Sequence, residues 1–256
     1  MSSIHRDLDL EKGLQAALDR GNSVWAVGDI HGYRGEFEEI LERLRLREGD
    51  MVLCLGDLVD RGPDSHGVLS MVRDDERVFS LKGNHELIMS EALGGNSQRE
   101  AFWANIVGDN ATLDSMPGEG EEKWTRAEHW LEFTDALPTE VILDRFRLSH
   151  SGYRIDIPFD EQTDQDRLKS REVFLAEETP DPNRQIIAGH TPVQMLGRFG
   201  VEPPQEGVWK SKLETEDGRP AVVLIDTGIV LSELSHRPRI SSYDLQTGRV
   251  VEVERF

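Results

Sequence analysis

Leu10, Leu14, Ala17 and Leu18 recur at helical spacing behind Asp9, a candidate N-cap, and predict an N-terminal helix ending near Gly21. The apolar run at residues 23–27 predicts a strand. After it, Phe37, Ile40, Leu41 and Leu44 line one face of a helix whose other side carries Glu38, Glu39, Glu42 and Arg43. Residues 51–55 read as a second strand, 66–72 as a short helix and 78–81 as a third strand. Strand, helix, strand, helix, strand is the signature of a parallel sheet with helices on its faces. Residues 87–137 turn mostly helical and loopy, broken at Gly94-Gly95-Asn96-Ser97 and at Glu119-Gly120-Glu121-Glu122. Trp130, Phe133 and Leu137 give this stretch a last apolar face, and it reads as an insertion beside the site. Strand-like runs follow at 141–143, 146–148, 185–188, 221–225, 229–234 and 240–245, while 198–220, with Pro203-Pro204, reads as a long polar loop that is functional or mobile.

Three short boxes sit where the first three strands end: Gly28-Asp29-Ile30-His31-Gly32, Gly56-Asp57-Leu58-Val59-Asp60-Arg61-Gly62 and Gly83-Asn84-His85-Glu86. In open α/β sheets ligands bind outside the carboxyl ends of the strands, so the three boxes fall at one place. Two later histidines repeat the pattern, His150 before Ser151-Gly152 and His190 in Gly189-His190-Thr191-Pro192. His5, His66, His129 and His236 lie in terminal, helical or turn contexts and read as surface or hydrogen-bonded core residues.

Carboxylate, imidazole and carboxamide ligands without thiolate favour manganese, iron or zinc over a soft-metal site or an all-oxygen cage. An Asp-x-His pair on one turn can clamp an ion, and a second carboxylate such as Asp57 can bridge two. Two ions roughly 3.5–4 Å apart hold a hydroxide and grip a substrate's oxygens, which suits phosphate ester hydrolysis.

Composition narrows this further. The 256 residues suit one domain, 1–256, with a real core. No apolar stretch reaches the ~20 residues of a membrane span, and residues 1–10 carry Asp7 and Asp9 with no secretory pattern, so the expected compartment is the cytoplasm. A net charge of −20 argues against general binding to nucleic acid or anionic membrane. A phosphate substrate must then be drawn in by a local positive centre, which two divalent ions against two ligating carboxylates would supply. The lone cysteine, Cys54, reads as core filler.

Through these five ordered motifs, residues 23 to 245 resemble the phosphoprotein phosphatase family of calcineurin-like metallophosphoesterases, in particular its bacterial serine/threonine phosphatase and diadenosine tetraphosphatase-like branch. The resemblance implies a four-layer α/β/β/α sandwich with two mixed sheets and flanking helices. It implies two divalent ions, manganese ahead of iron or zinc, with Asp29 and His31 on one, Asp57 bridging, and Asn84, His150 and His190 on the other. His85 would be the general acid, oriented by Asp60, and Arg61 would grip phosphoryl oxygens. Arg171 matches the family's place for a second arginine, although Lys169 stands where many bacterial relatives have tryptophan, so Arg154, Arg167 and Arg184 stay open. Ser151 replaces a smaller residue, and Asp226-Thr227-Gly228 is similar to a late motif that supports the site.

The implied reaction is in-line attack of a dimetal-bound hydroxide on a phosphate monoester, with phosphoserine or phosphothreonine protein as substrate. The alternative is a dinucleoside polyphosphate, and a third reading is an inactive phosphate-sensing scaffold. Asp60 and Glu86 sit on the protein-phosphatase side, because one tetraphosphatase branch lacks that aspartate and has Asp after the histidine. Trp103-Ala104-Asn105 and residues 108–113 are similar to a segment near the substrate in bacterial members. A tryptophan in a helical insertion is usually packing, so it is given no role. Oligomeric state is not readable.

Overall fold

A computed structural model describes residues 6–95, 97–107, 110–232 and 237–256; His5, His236 and the Gly108-Asp109 pair lie outside the described residues. The chain runs α1 (Leu8–Asp19), β1 (Val24–Val27), α2 (Arg34–Leu44), β2 (Met51–Cys54), α3 (Ser65–Asp74), β3 (Val78–Ser80) and α4 (Asn84–Leu93). The 87–137 stretch holds most of α4, then α5 (Ser97–Phe102), a π-helical turn (Trp103–Val107), α6 (Ala111–Ser115), α7 (Glu121–Glu128) and α8 (Leu131–Ala136). The second half carries β4 (Glu140–Ile142), β5 (Phe146–Ser149), α9 (Asp164–Lys169), β6 (Gln185–Ala188), β7 (Trp209–Lys210), β8 (Val222–Leu224), β9 (Arg239–Asp244) and β10 (Val250–Glu254).

The first sheet has the order β10-β9-β1-β2-β3, with β1, β2 and β3 parallel and β9 antiparallel to β1. The second has the order β4-β5-β6-β8-β7, parallel at its centre with antiparallel strands at both edges. Period-two alternation decides which faces meet. Val24, Ala26 and Leu53 point toward the second sheet and pack with Leu148, Ile187 and Val223, and α1 adds Leu10, Leu14 and Ala17 to this inter-sheet core. Trp25, Val27, Val52 and Cys54 face the other way, onto Phe37 and Ile40 of α2, Val68 and Leu69 of α3 and Met89 of α4. The outer face of the second sheet, through Ile186, Val222 and Leu224, is covered by Tyr153, Phe174, Val193 and Leu196. Those last residues lie largely on 3-10 turns (Val173–Leu175 and Val193–Phe199), so the fourth layer is thin.

Several boundaries differ from the sequence expectation. Helix α1 is capped by Asp7, whose carboxylate accepts the N–H groups of Asp9 and Leu10, so Asp9 is inside the first turn. Residues 229–232 do not form the predicted strand; Gly228 turns at φ 73°, its N–H held by Asp226 Oδ1 at 2.8 Å, and Leu231 N–H closes the turn onto Gly228. Residues 233–234 of that strand lie outside the described residues. The loop at 198–220 is less irregular than its composition suggests, since it contributes β7 and a bridge between Glu214 and Pro220. Among the described residues no helix is long and apolar enough to cross a membrane.

Candidate metal centre

The boxes are built on backbone that ordinary side chains avoid. Among the described residues, seven non-glycine residues have positive φ, and five of them are predicted site residues: His31 (50°), Asp57 (52°), Asp60 (73°), Arg61 (74°) and His190 (64°). Such residues persist only where the surroundings over-determine them, typically at sites. Here Glu86 supplies much of that constraint. Its fully buried carboxylate accepts four backbone N–H groups, Asp57 at 2.9 Å, Leu58 at 2.7 Å, Val59 at 3.3 Å and Gly83 at 2.7 Å, tying the second box to the third. Gly83 has to be glycine, because a Cβ there would meet Asp57 N and Oδ1 at 2.2 Å.

Asp57 lies at the middle of the constellation. Its Oδ2 is 3.5 Å from His31 Nε2 and 3.9 Å from His85 Nε2; its Oδ1 is 3.4 Å from His150 Nε2 and accepts the His85 N–H at 3.0 Å. Asp29 Oδ2 faces His31 Nε2 at 3.9 Å while its Oδ1 accepts the His190 N–H at 2.9 Å. Asn84 Oδ1 and His190 Nδ1 lie 3.0 and 3.1 Å from His150 Nε2. Two groups of ligand atoms thus share Asp57, one with His31 and His85 and one with His150 and His190. Distance alone puts His85 in the first group where sequence reasoning put Asp29. The Nδ1 of His85 is held by Asp60 Oδ2 at 2.7 Å, which leaves its Nε2 facing Asp57, so Asp29 and His85 both border the first group.

Hydrogen bonding fixes the tautomers. His31 Nδ1 donates to Val59 O at 3.0 Å and His150 Nδ1 to Leu55 O at 2.9 Å, so a neutral ring presents a bare lone pair at each Nε2. Burial keeps both rings neutral, driving His31 well below the usual histidine range and His150 down to about 3. These nitrogens face the oxygens of Asp57, Asp29 and Asn84, a set of donors that either shares a proton or binds a cation. Among the described residues the buried His190 Nε2 has no hydrogen-bond partner. Burial, together with Asp226 and Asp57, raises Asp29 well above the carboxylate range, and burial pushes Asp57 up to about 7. A donor set of neutral imidazoles and disfavoured carboxylates fits divalent cations.

The predicted arginines behave differently from one another. Arg61 is exposed, and Arg171 is half-buried with its guanidinium field reaching Asp226, His150 and His190. Neither guanidinium makes a hydrogen bond or ion pair among the described residues. The three alternatives are occupied elsewhere: Arg167 is buried against Glu140, Arg154 pairs with Asp156, and Arg184 binds Leu143 O. His66 accepts from Trp130 Nε1 at 3.2 Å, away from the cluster. Cys54 is buried, and burial pushes its thiol up.

Two side chains given no role from sequence reach the site. Trp103 Nε1 and Thr112 Oγ1 donate to Asp60 Oδ1 at 2.8 and 2.6 Å. Their only sequence signal was the loose similarity of the 103–113 stretch to a segment near the substrate; nothing in spacing announces an indole N–H aimed at a residue 43 positions earlier.

The family model for calcineurin-like phosphoesterases matches residues 23–225. The chain belongs to that family. Its relatives among the calcineurin-like phosphoesterases include serine/threonine-protein phosphatase 1 of Salmonella typhimurium, 38% identical over 90 residues, which is 34% of this chain and 39% of that protein. The symmetrical bis(5'-nucleosyl)-tetraphosphatase of Nitrosospira multiformis is 42% identical over 67 residues, 25% of this chain and 24% of its own. The matched stretches therefore cover well under half of these relatives. Among solved structures, a chain assigned provisionally to the diadenosine tetraphosphatases superposes with TM-score 0.60 at 20% identity, over 92% of this chain and 94% of its own. A metallophosphoesterase from Sphaerobacter thermophilus gives 0.54 at 18% identity, over 91% and 88%. At such identities the likeness is one of fold, the two-sheet sandwich of the family.

Proposed function

We propose that this calcineurin-like phosphoesterase hydrolyses phosphate monoesters with two divalent ions, manganese ahead of iron or zinc, in the cytoplasm. Asp29 and His31 would hold one ion, Asn84, His150 and His190 the other, with Asp57 between them. The observation that carries this reading is the set of bare imidazole lone pairs aimed at carboxylate and amide oxygens. When bound, the ions supply Lewis-acid charge and lower the pKa of water.

The remaining chemistry belongs to side chains. Arg61 and Arg171, whose guanidinium groups make no hydrogen bond or ion pair among the described residues, clamp the phosphoryl oxygens and so restrain phosphorus for in-line displacement. His85 Nδ1–H is held by Asp60 Oδ2 at 2.7 Å, which leaves Nε2 as the position that protonates the departing oxygen. Burial opposes charge on this ring, but Asp57 and Asp60 outweigh it and raise the His85 pKa, in keeping with an acid role.

Phosphorylated serine or threonine in protein is the substrate class we favour, supported by the Asp60–His85 pair and by the named phosphatase relatives. Dinucleoside tetraphosphate is the second reading, supported by the tetraphosphatase relatives. Initial rates of the manganese-loaded chain on a phosphopeptide panel and on diadenosine tetraphosphate decide between them. No turnover of either, or of an aryl phosphate, at any pH would defeat the enzyme reading. H85N is expected to keep its metal and lose roughly 10²–10⁴-fold in turnover.

A further inference from the structure

Asp60 is gripped from a part of the chain that the reaction above does not use. While Oδ2 takes His85 Nδ1–H, Oδ1 accepts both Trp103 Nε1–H at 2.8 Å and the Thr112 hydroxyl at 2.6 Å. The Thr112 oxygen also accepts the Asp60 N–H at 2.9 Å, shared with Ser65 Oγ at 3.0 Å, and the two hydroxyl oxygens are 3.1 Å apart. Thr112 has one proton, and the carboxylate takes it, so the Ser65 hydroxyl donates to Thr112 and the network closes. All of Asp60, Ser65, Trp103 and Thr112 are buried, so bulk water does not compete for these bonds.

The backbone bearing these donors is itself unusual. Trp103 opens the π-helical turn, and Asn110, immediately before α6, sits at φ 59°. Single π turns and left-handed non-glycine residues cost energy and recur where a side chain has to be aimed. Helix α6 is seated on α3 by the Thr112–Ser65 contact and by Ser115 Oγ, which accepts the His66 N–H at 3.1 Å.

We propose that Trp103 and Thr112 are positioning residues for the acid step. They satisfy Oδ1 so that the Asp60 carboxylate cannot rotate, which keeps Oδ2 on His85 Nδ1 and aims His85 Nε2 at the departing oxygen. The 97–115 part of the insertion is then the piece that completes the acid, while the metal ligands are all supplied from outside it. This inference rests on His85 being the acid.

The test compares two esters on the manganese-loaded enzyme: p-nitrophenyl phosphate, whose leaving group needs little protonation, and phenyl phosphate, whose phenoxide is far more basic. H85N should lose much more on phenyl phosphate than on the nitrophenyl ester. W103F and T112V should show the same discrimination in weaker form, with about a ten-fold larger loss on phenyl phosphate, at unchanged metal stoichiometry; the buried bonds they remove lower the melting temperature in either case, so the ratio between the two esters is the readout. T112S, which restores the hydroxyl, should return the ratio toward wild type. A loss of equal factor on both esters, or a loss of metal, overturns the proposal. If W103F does not fold, T112V and T112S, close in shape to the native residue, carry the same comparison. If H85N treats both esters alike, the acid assignment falls and the clamp with it; if H85N discriminates and T112V does not, only the clamp falls.

Discussion

Replacing Glu86 by glutamine tests how the second box is held. Oε1 accepts Leu58 and Val59 N–H, and Oε2 accepts Asp57 and Gly83 N–H. A carboxamide has one acceptor oxygen, so in either orientation E86Q turns an NH2 group toward two buried backbone donors. Two charge-assisted bonds at about 1.5–3 kcal/mol each put the gross loss at about 3–6 kcal/mol. The substitution also removes a buried negative charge that raises the Asp57 pKa, an offset that is largest without metal and shrinks once cations neutralise the site. The metal-loaded variant should therefore be less stable by ~2–4 kcal/mol in urea unfolding, with an unchanged denaturant slope. Because the same N–H groups fix Asp57 at φ 52° and Val59, whose carbonyl orients His31, metal affinity should fall about 10–100-fold in a competition titration. A loaded E86Q within ~0.5 kcal/mol of wild type, with native metal affinity, would refute the cradle.

Three further outcomes follow from the same geometry. In chelator, Asp57 and Asp226 titrate near 7 when folded and near 3.8 when unfolded, so the folded state holds protons the unfolded chain has released. Their share of stability therefore falls as pH rises between those values, while His31 and His150, kept neutral by burial, oppose it below 6.5; D226N in chelator should make the melting temperature climb more steeply with pH than in wild type over this window, and an unchanged slope contradicts the burial argument. R61Q and R171Q should each weaken inorganic phosphate binding to the loaded protein by about ten-fold, whereas R154Q should not, by calorimetry; the opposite pattern displaces Arg171. D57N should lose bound metal, measured by elemental analysis, and retained dinuclear stoichiometry would contradict its bridging place.

How much of this was legible beforehand depends on the range of the interaction. Apolar runs ending in Gly-Asp or Gly-Asn marked β1, β2 and β3, because a strand's burial and the turn after it are both local. The shared place of His150 and His190 followed from strand ends in a parallel sheet. Glu86 was visible only as the residue after a histidine; its work lies in N–H groups of residues 57–59, contributed by another loop. Trp103 looked like packing for the same reason. The strand expected at 229–234 failed because Gly228 turns the chain against an otherwise apolar pattern, and β10 was missed because Val250, Val251 and Val253 form a short edge with weak alternation.

The place of β9 beside β1 sets an order on assembly. Ser23 Oγ reaches Asp244 at 3.1 Å across 221 residues, and the Gly28 N–H that begins the first box is bound by Ser241 O at 3.0 Å. On a ribosome, every proposed metal-holding side chain, through His190, emerges before the strand that seats the first of them. Contacts of such sequence separation slow folding, so the nascent chain carries its ligands for a time without the frame that holds them. Seating of the first box then waits on synthesis of β9, and until it arrives the flank of β1 that β9 covers is an unpaired strand edge.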